Sequence, residues 1–207
     1  MDAKPLQPRI PEIFVARQPV LDRERNLIAY ELLFRATEGA LQARVTDDAL
    51  ATARVVERAF GGLGIDTVVG GAMAFINVDA ESLMSGLIET MPADRVVIEL
   101  LETIRIEPRI VRRCRELKDL GYRLALDDFS RVTAEYCPLL ELVDIVKVDV
   151  LALDPASLAE VVRLLKPWGA KLLAEKVECH QRARDCLALG FDLFQGFYFG
   201  RPALLGA

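Results

Sequence analysis

Residues 121–135, Gly-Tyr-Arg-Leu-Ala-Leu-Asp-Asp-Phe-Ser-Arg-Val-Thr-Ala-Glu, hold the unit on which the fold turns. A glycine of the kind that closes a helix is followed by a short apolar run, Arg123 to Leu126, and the run finishes on two carboxylates, Asp127 and Asp128. An apolar run of that length, bounded by a glycine and by acids, suits a strand buried on both faces better than a helix.

The pattern recurs on either side. Ala72–Ile76 is followed by Asn77 and Val96–Ile98 by Glu99; further along, Ile145-Val146 precedes Lys147 and Asp149, Lys171–Ala174 precedes Glu175, and Phe191–Phe194 precedes Gln195. Amphipathic stretches near 80–90, 107–120, 133–142, 155–168 and 179–189 separate the runs. Pro155 suits a first helical turn, and Gly121, Gly169 and Gly190 suit C-caps. Ahead of them, Ile13–Arg17 and Leu27–Phe34, joined by the polar Asp22–Asn26, predict a hairpin. Thr46–Phe60 has helical spacing and stops at Gly61-Gly62, while residues 1–11, with Pro5, Pro8 and Pro11, read as a loose lead-in. The hairpin and the six later runs make eight strands alternating with helices. That predicts an α/β fold over residues 12–207, a TIM-like (β/α)8 barrel whose N-terminal β-hairpin contributes an antiparallel strand. An open doubly wound sheet is the alternative, but no GxGxxG follows any run.

Composition narrows the function. A chain of 207 residues with 52% apolar content can bury one sizeable core. Its 26 basic against 31 acidic residues give no electrostatic reason to bind a nucleic-acid polymer. Cys114, Cys137, Cys179 and Cys186, with His180, show no zinc spacing and suit a reducing compartment. No apolar run approaches the ~20 residues of a membrane helix, and the first residues lack a secretory core, so a cytoplasmic protein without a membrane partner is expected.

In a β/α barrel the C-terminal strand ends meet at one mouth. Asn77, Glu99, Asp127, Asp128, Lys147, Asp149, Glu175 and Gln195 would converge there, and Glu31 in the second hairpin strand can join them. So many carboxylates would repel one another unless cations sat among them; hard oxygen donors suit Mg²⁺, Mn²⁺ or Ca²⁺ rather than zinc. Two ions would suit in-line attack on a phosphodiester, with Lys147 as a point charge toward phosphate. Taken singly, an acid at a strand end is more often a helix cap, and Asp149 equally suits a cap on the segment after it. The basic run Arg105, Arg109, Arg112, Arg113, Arg115 and Lys118 reads as a solvated helix face. Phe191, Phe194, Phe197, Tyr198 and Phe199 read as barrel core and floor, with Phe197 or Tyr198 placed to meet a base.

Across residues 12–202 these segments resemble the motif series of the EAL-domain family. Tyr30-Glu31-Leu32-Leu33-Phe34-Arg35 resembles its signature segment, and Arg17-Gln18-Pro19-Val20 precedes it. Phe75-Ile76-Asn77, Glu99-Leu100-Leu101-Glu102, Leu126-Asp127-Asp128-Phe129, Val146-Lys147-Val148-Asp149, Ala174-Glu175-Lys176-Val177-Glu178 and Gln195-Gly196-Phe197-Tyr198-Phe199 come after it in family order. The resemblance implies hydrolysis of cyclic di-GMP to the linear dinucleotide with Mg²⁺ or Mn²⁺. It assigns Glu31, Asn77, Glu99 and Asp127 to one ion, and Asp127 with Asp128 to a second. Lys147 and Glu175 would activate water with support from Gln195, Gln18 and Arg35 would face the nucleotide, and Glu102 would anchor the loop after the aspartates.

The departures bear on activity. Active members follow the aspartates with Asp-Phe-Gly-Thr-Gly-Tyr-Ser-Ser, whereas this chain has Asp128-Phe129-Ser130-Arg131-Val132-Thr133-Ala134-Glu135, without glycine's backbone freedom. Lys176 stands where the family has glycine, and the stretch between Asp149 and Lys171 is shortened where a dimer-forming helix lies. The wording is similar to the subgroup in which an EAL-like domain precedes an HDOD domain. A non-hydrolytic module that binds nucleotide or a protein partner is therefore favoured, and a working phosphodiesterase is the alternative.

Overall fold

The structure, a computed structural model, describes residues 14–35 and 48–205. The lead-in at residues 1–11 lies outside them, as does the side chain of Arg35. Strands β1 (Phe14–Asp22) and β2 (Leu27–Arg35) form the expected hairpin, turning through Arg25 in the left-handed region. Asp22 holds the turn, its carboxylate accepting from the Glu24 and Asn26 amides.

Six parallel strands come next: β3 (Met73–Val78), β4 (Val96–Leu100), β5 (Arg123–Phe129), β6 (Ile145–Asp149), β7 (Lys171–Glu175) and β8 (Leu193–Phe194). Each of these pairs with the strand before it, β3 with β2, and β8 with β1 in antiparallel sense, which closes an eight-stranded barrel. A short ninth strand, β9 (Ala203–Leu204), pairs with Ala16 and Arg17 of β1 along the edge that further on pairs with β8, and has no counterpart in the sequence reading.

The helices are α1 (Asp48–Val56), α2 (Ile65–Val69), α3 (Ala80–Met84), α4 (Pro108–Asp119), α5 (Cys137–Leu140), α6 (Pro155–Leu165) and α7 (His180–Leu189). Two expected long helices are shorter than their periodicity suggests. The 80–90 stretch breaks at Ser85, whose backbone is extended, and resumes as a 3-10 turn at 88–90. The 133–142 stretch is a 3-10 turn joined to the single turn of α5. The Gly61-Gly62 pair ends a π-helical turn, 57–62, that continues α1. Gly121, Gly169 and Gly190 all have positive φ, as C-caps require. Among the described residues no helix is long and apolar enough to cross a membrane.

The barrel has two apolar layers. Outward-facing residues such as Ile76, Ile98, Leu124, Val146, Leu172 and Phe194 pack under the helices. Inside, Val20, Ala29, Phe75, Val97, Ala125, Ile145, Leu173 and Leu193 form a separate cluster, one from each barrel strand. The interior aromatic is therefore Phe75. Phe191 and Phe194 belong to the core, as their reading expects, in the layer beneath the helices and not in the floor. The basic face of α4 is also less free than expected: Arg113 reaches the Leu83 and Ser85 carbonyls and Glu89, and Lys118 pairs with Asp144.

Candidate active site

Strand pleating raises a polar ring directly above the apolar floor. Side chains two residues apart share a face of a strand. From Ala29, Phe75, Val97, Ala125, Ile145, Leu173 and Leu193, two steps on lead to Glu31, Asn77, Glu99, Asp127, Lys147, Glu175 and Gln195. On the antiparallel β1 the same step runs backwards, from Val20 to Gln18. Every one of these eight candidates thus faces the barrel axis at its C-terminal mouth, and seven of them line one cavity of ≈ 500 Å³ or donate directly to its lining: Gln18, Glu31, Asn77, Asp127, Lys147, Glu175 and Gln195. Glu99 lies just beneath, fully buried.

Lys147 is the hub. Its ammonium, 2% exposed, contacts Glu99, Asp127 at 2.8 Å, Glu175 at 3.4 Å and Glu31 at 3.5 Å. Gln195 Nε2 donates to Glu31 at 2.6 Å and to Gln18 at 3.2 Å, Asn77 Nδ2 donates to Glu31 at 3.1 Å, and Gln18 Nε2 donates to the Gly200 carbonyl. Burial pushes Lys147 toward its neutral form, but the surrounding acids outweigh it and hold the ammonium charged well above its usual range. Glu99 is raised well above the carboxylate range by burial, against the pull of Lys147, and Glu175 is pushed up to about 8 for the same reason, with Asp127 and Glu31 adding to it. Asp127 keeps its charge: Lys147 and hydrogen bonds overcome its own burial.

The paired aspartates reach the mouth together because the strand is irregular there. Against β6 the register of β5 jumps from Leu126 beside Val146 to Phe129 beside Val148, so β5 carries one extra residue. Asp128 takes the left-handed conformation, φ 46°, which a short polar side chain tolerates. In a regular strand the two would face opposite sides; here Asp127 meets Lys147 and Asp128 lines the same cavity.

Lys176 is the residue that sequence reading undervalued. It stands at φ 58°, and its ammonium bonds Asp128 at 3.0 Å and Asp149 at 2.6 Å. Asp149 otherwise does what a capping acid does, its other oxygen accepting from the Leu151 and Ala152 amides. Glu102 lines the cavity but is exposed, and among the described residues it makes no hydrogen bond or ion pair with the loop after Asp128. That loop has no positive φ from Phe129 to Glu135. Phe197, half-exposed with Arg201 over its ring, is at the cavity; Tyr198 instead packs with Arg25, His180 and Phe199.

The donor set suits a hard divalent ion. Asn77 Oδ1, Glu99 Oε2 and Glu175 Oε1 are buried oxygens without a hydrogen-bond partner, an arrangement that costs free energy unless something positive satisfies it. Among the described residues no three acidic, His or Cys side chains stand at the spacing of a formed ion cage. The carboxylates close on the Lys147 ammonium instead, so holding an ion requires Lys147 to withdraw.

Comparison with known proteins places the chain in a family. The EAL domain profile matches residues 6–202. The chain is 36% identical over 197 residues to the uncharacterized protein YuxH of Bacillus subtilis, covering 93% of this chain and 48% of that protein. It is 34% identical over 204 residues to the cyclic di-GMP phosphodiesterase CdgJ of Vibrio cholerae, covering 98% and 47%. The chain thus spans about half the length of these curated relatives. Among solved structures, the calcium and cyclic di-GMP complex of Klebsiella pneumoniae BlrP1 superposes with TM-score 0.72 at 27% identity, covering all of this chain and 59% of that one.

Proposed function

The chain belongs to the EAL domain family, and from that premise we propose that the barrel mouth binds cyclic di-GMP together with a divalent cation, as a signalling module that does not hydrolyse it efficiently. The observation that carries the reading is the polar ring: seven barrel strands each put one oxygen- or nitrogen-bearing side chain two residues beyond an apolar floor residue, around a cavity of ≈ 500 Å³. Glu31, Asn77, Glu99 and Asp127 would hold the ion. When bound it would neutralise their charge and polarise a phosphate oxygen.

The same cavity explains why nucleotide and cation belong together. Its lining carries Glu31, Glu102, Asp127, Asp128, Glu175 and Glu178 against Lys147 and Lys176 alone. A dianionic dinucleotide would meet net negative potential there unless a cation entered with it. Phe197, with an exposed ring at the rim, offers a base a stacking face, and Gln18 and Gln195 offer amides to its polar edge. The side chain of Arg35 lies outside the described residues, so its part in holding the nucleotide stays an assignment from family resemblance.

Loss of efficient turnover is supported by the loop. A hydrolase stabilises its transition state with groups already in place. Here Glu102 does not tie down the 129–135 loop, and Asp128 is engaged by Lys176. A working phosphodiesterase is the second reading, favoured by the intact Lys147, Glu175 and Gln195 and by the named activity of the CdgJ relative. Calorimetry with cyclic di-GMP in Ca²⁺ and in EDTA should show binding only with the ion. Incubation with Mg²⁺ or Mn²⁺ should yield little linear product. Absence of heat at high nucleotide concentration overturns the binding reading and leaves a protein partner, such as a downstream HDOD domain, as the ligand of the module. Rapid turnover abolished by Glu175→Ala establishes the enzyme.

A further inference from the structure

Two ammonium groups stand among the acids of the mouth, and the sites they serve differ. Lys147 lies at the bottom, 2% exposed, between strand-borne carboxylates. Lys176 lies at the outer edge, its side chain 48% exposed, and bridges Asp128 and Asp149, from two other strands. Its backbone is the unusual part. At φ 58° a lysine sits in a left-handed region that residues with a Cβ disfavour, and its partner Asp128 sits at φ 46°. Two residues 48 positions apart both hold left-handed backbone, and their side chains meet at 3.0 Å. Asp149 completes the bridge with an oxygen that is not used in its own loop cap.

We propose that Lys176 determines the cation stoichiometry of the cleft: its ammonium fills the outer position between Asp128 and Asp149, so that the mouth takes one divalent ion rather than two. This rests on the proposed function only for the identity of the inner ion. The geometry argues for displacement because the Lys176 ammonium already takes Asp128 Oδ1, one of the two carboxylates that the resemblance gives to a second ion, while the other, Asp127, is engaged by Lys147. Asp128 and Asp149 face Lys176 at 3.0 and 2.6 Å, and a divalent ion on the same oxygens would stand within a few ångströms of the ammonium, where like charges repel strongly. A fixed ammonium supplies charge toward phosphate but, unlike a metal ion, cannot lower the pKa of a bound water. One ion and one ammonium therefore make a binding site where two ions would make a hydrolytic one.

The test is the Mn²⁺ stoichiometry of the wild-type protein, Lys176→Gly and Lys176→Met, read by calorimetry and by the spin–spin broadening that a close Mn²⁺ pair produces in paramagnetic resonance. Lys176→Gly relieves the left-handed backbone, and Lys176→Met keeps the stem and removes the charge, so both are expected to fold. The expected result is one ion for wild type without pair broadening, and a second ion in both variants, bound at least tenfold more tightly than wild type binds any second ion. A wild-type protein that takes two ions, or variants that stay at one, overturns the proposal. If wild type binds no ion and each variant gains one, the inner-ion part of the proposed function fails while the role of Lys176 stands.

Discussion

Glu175 shows how much of this site's energetics is protonation. Burial drives its carboxyl from an ordinary value of 4.5 up to about 8, because Lys147 cannot compensate for the loss of water and for Asp127 and Glu31 nearby. Between those values the folded protein holds a proton that the unfolded chain has released. The stabilising contribution is therefore full below pH 4.5 and lost as pH rises through about 8. In EDTA, urea unfolding should show stability falling over that window by on the order of 5 kcal/mol from this group. Glu175→Gln, which cannot ionise, should flatten that part of the profile and be the more stable protein at the alkaline end. An unchanged pH slope in Glu175→Gln would place the titration elsewhere. Most of the ring residues were legible in the sequence for a plain reason: each ends an apolar run, and the strand repeat of two fixes which way it points. Lys176 was not. Its partnership with Asp128 depends on left-handed backbone at both residues, and neither apolar periodicity nor spacing encodes that for a lysine.

At the scale of elements, the strands were more legible than the helices. Buried parallel strands announce themselves as continuous apolar runs, whereas the 80–90 and 133–142 stretches kept a helical pattern over segments that the backbone divides into short turns. The last strand was misplaced at its start. Phe191 extends its apolar run, yet β8 begins at Leu193, because the Asp192 carboxylate accepts from the Leu172 amide at the foot of the barrel. The other end of β8 is set by backbone contact. Val177 donates to the Gln195 carbonyl, and at Gly196, φ 150°, a Cβ would overlap the backbone of Val177. Only glycine lets the strand pass that close while holding Gln195 toward Glu31. Gly196→Ala should therefore cost about 3 kcal/mol or more in urea unfolding and weaken nucleotide binding through Gln195. A loss under about 1 kcal/mol would mean that the Val177 segment shifts easily and that the close approach is incidental.

For the molecule as a whole, the mouth of the barrel is the place where folding leaves work for a ligand. The floor beneath it is apolar and closed on all eight strands, while the rim gathers like charges and leaves Asn77 Oδ1, Glu99 Oε2 and Glu175 Oε1 without partners. A ligand that satisfies the rim should stabilise the fold by mass action, about 2.7 kcal/mol at a hundredfold excess over its dissociation constant. For a chain of this size that corresponds to a rise in melting temperature of about 5–10 °C. Because the cation and the nucleotide compensate each other's charge in an acidic cavity, the two together should raise the midpoint by more than the sum of the separate shifts. Thermal melts with Ca²⁺ alone, cyclic di-GMP alone and both would measure that coupling. Glu31 accepts from Asn77 and Gln195 and faces Lys147, so Glu31→Ala removes the common member of the network and should abolish the excess shift. Strictly additive shifts, or a Glu31→Ala variant that keeps the excess, would mean that nucleotide and cation bind apart from one another and that the ring at the mouth does not unite them.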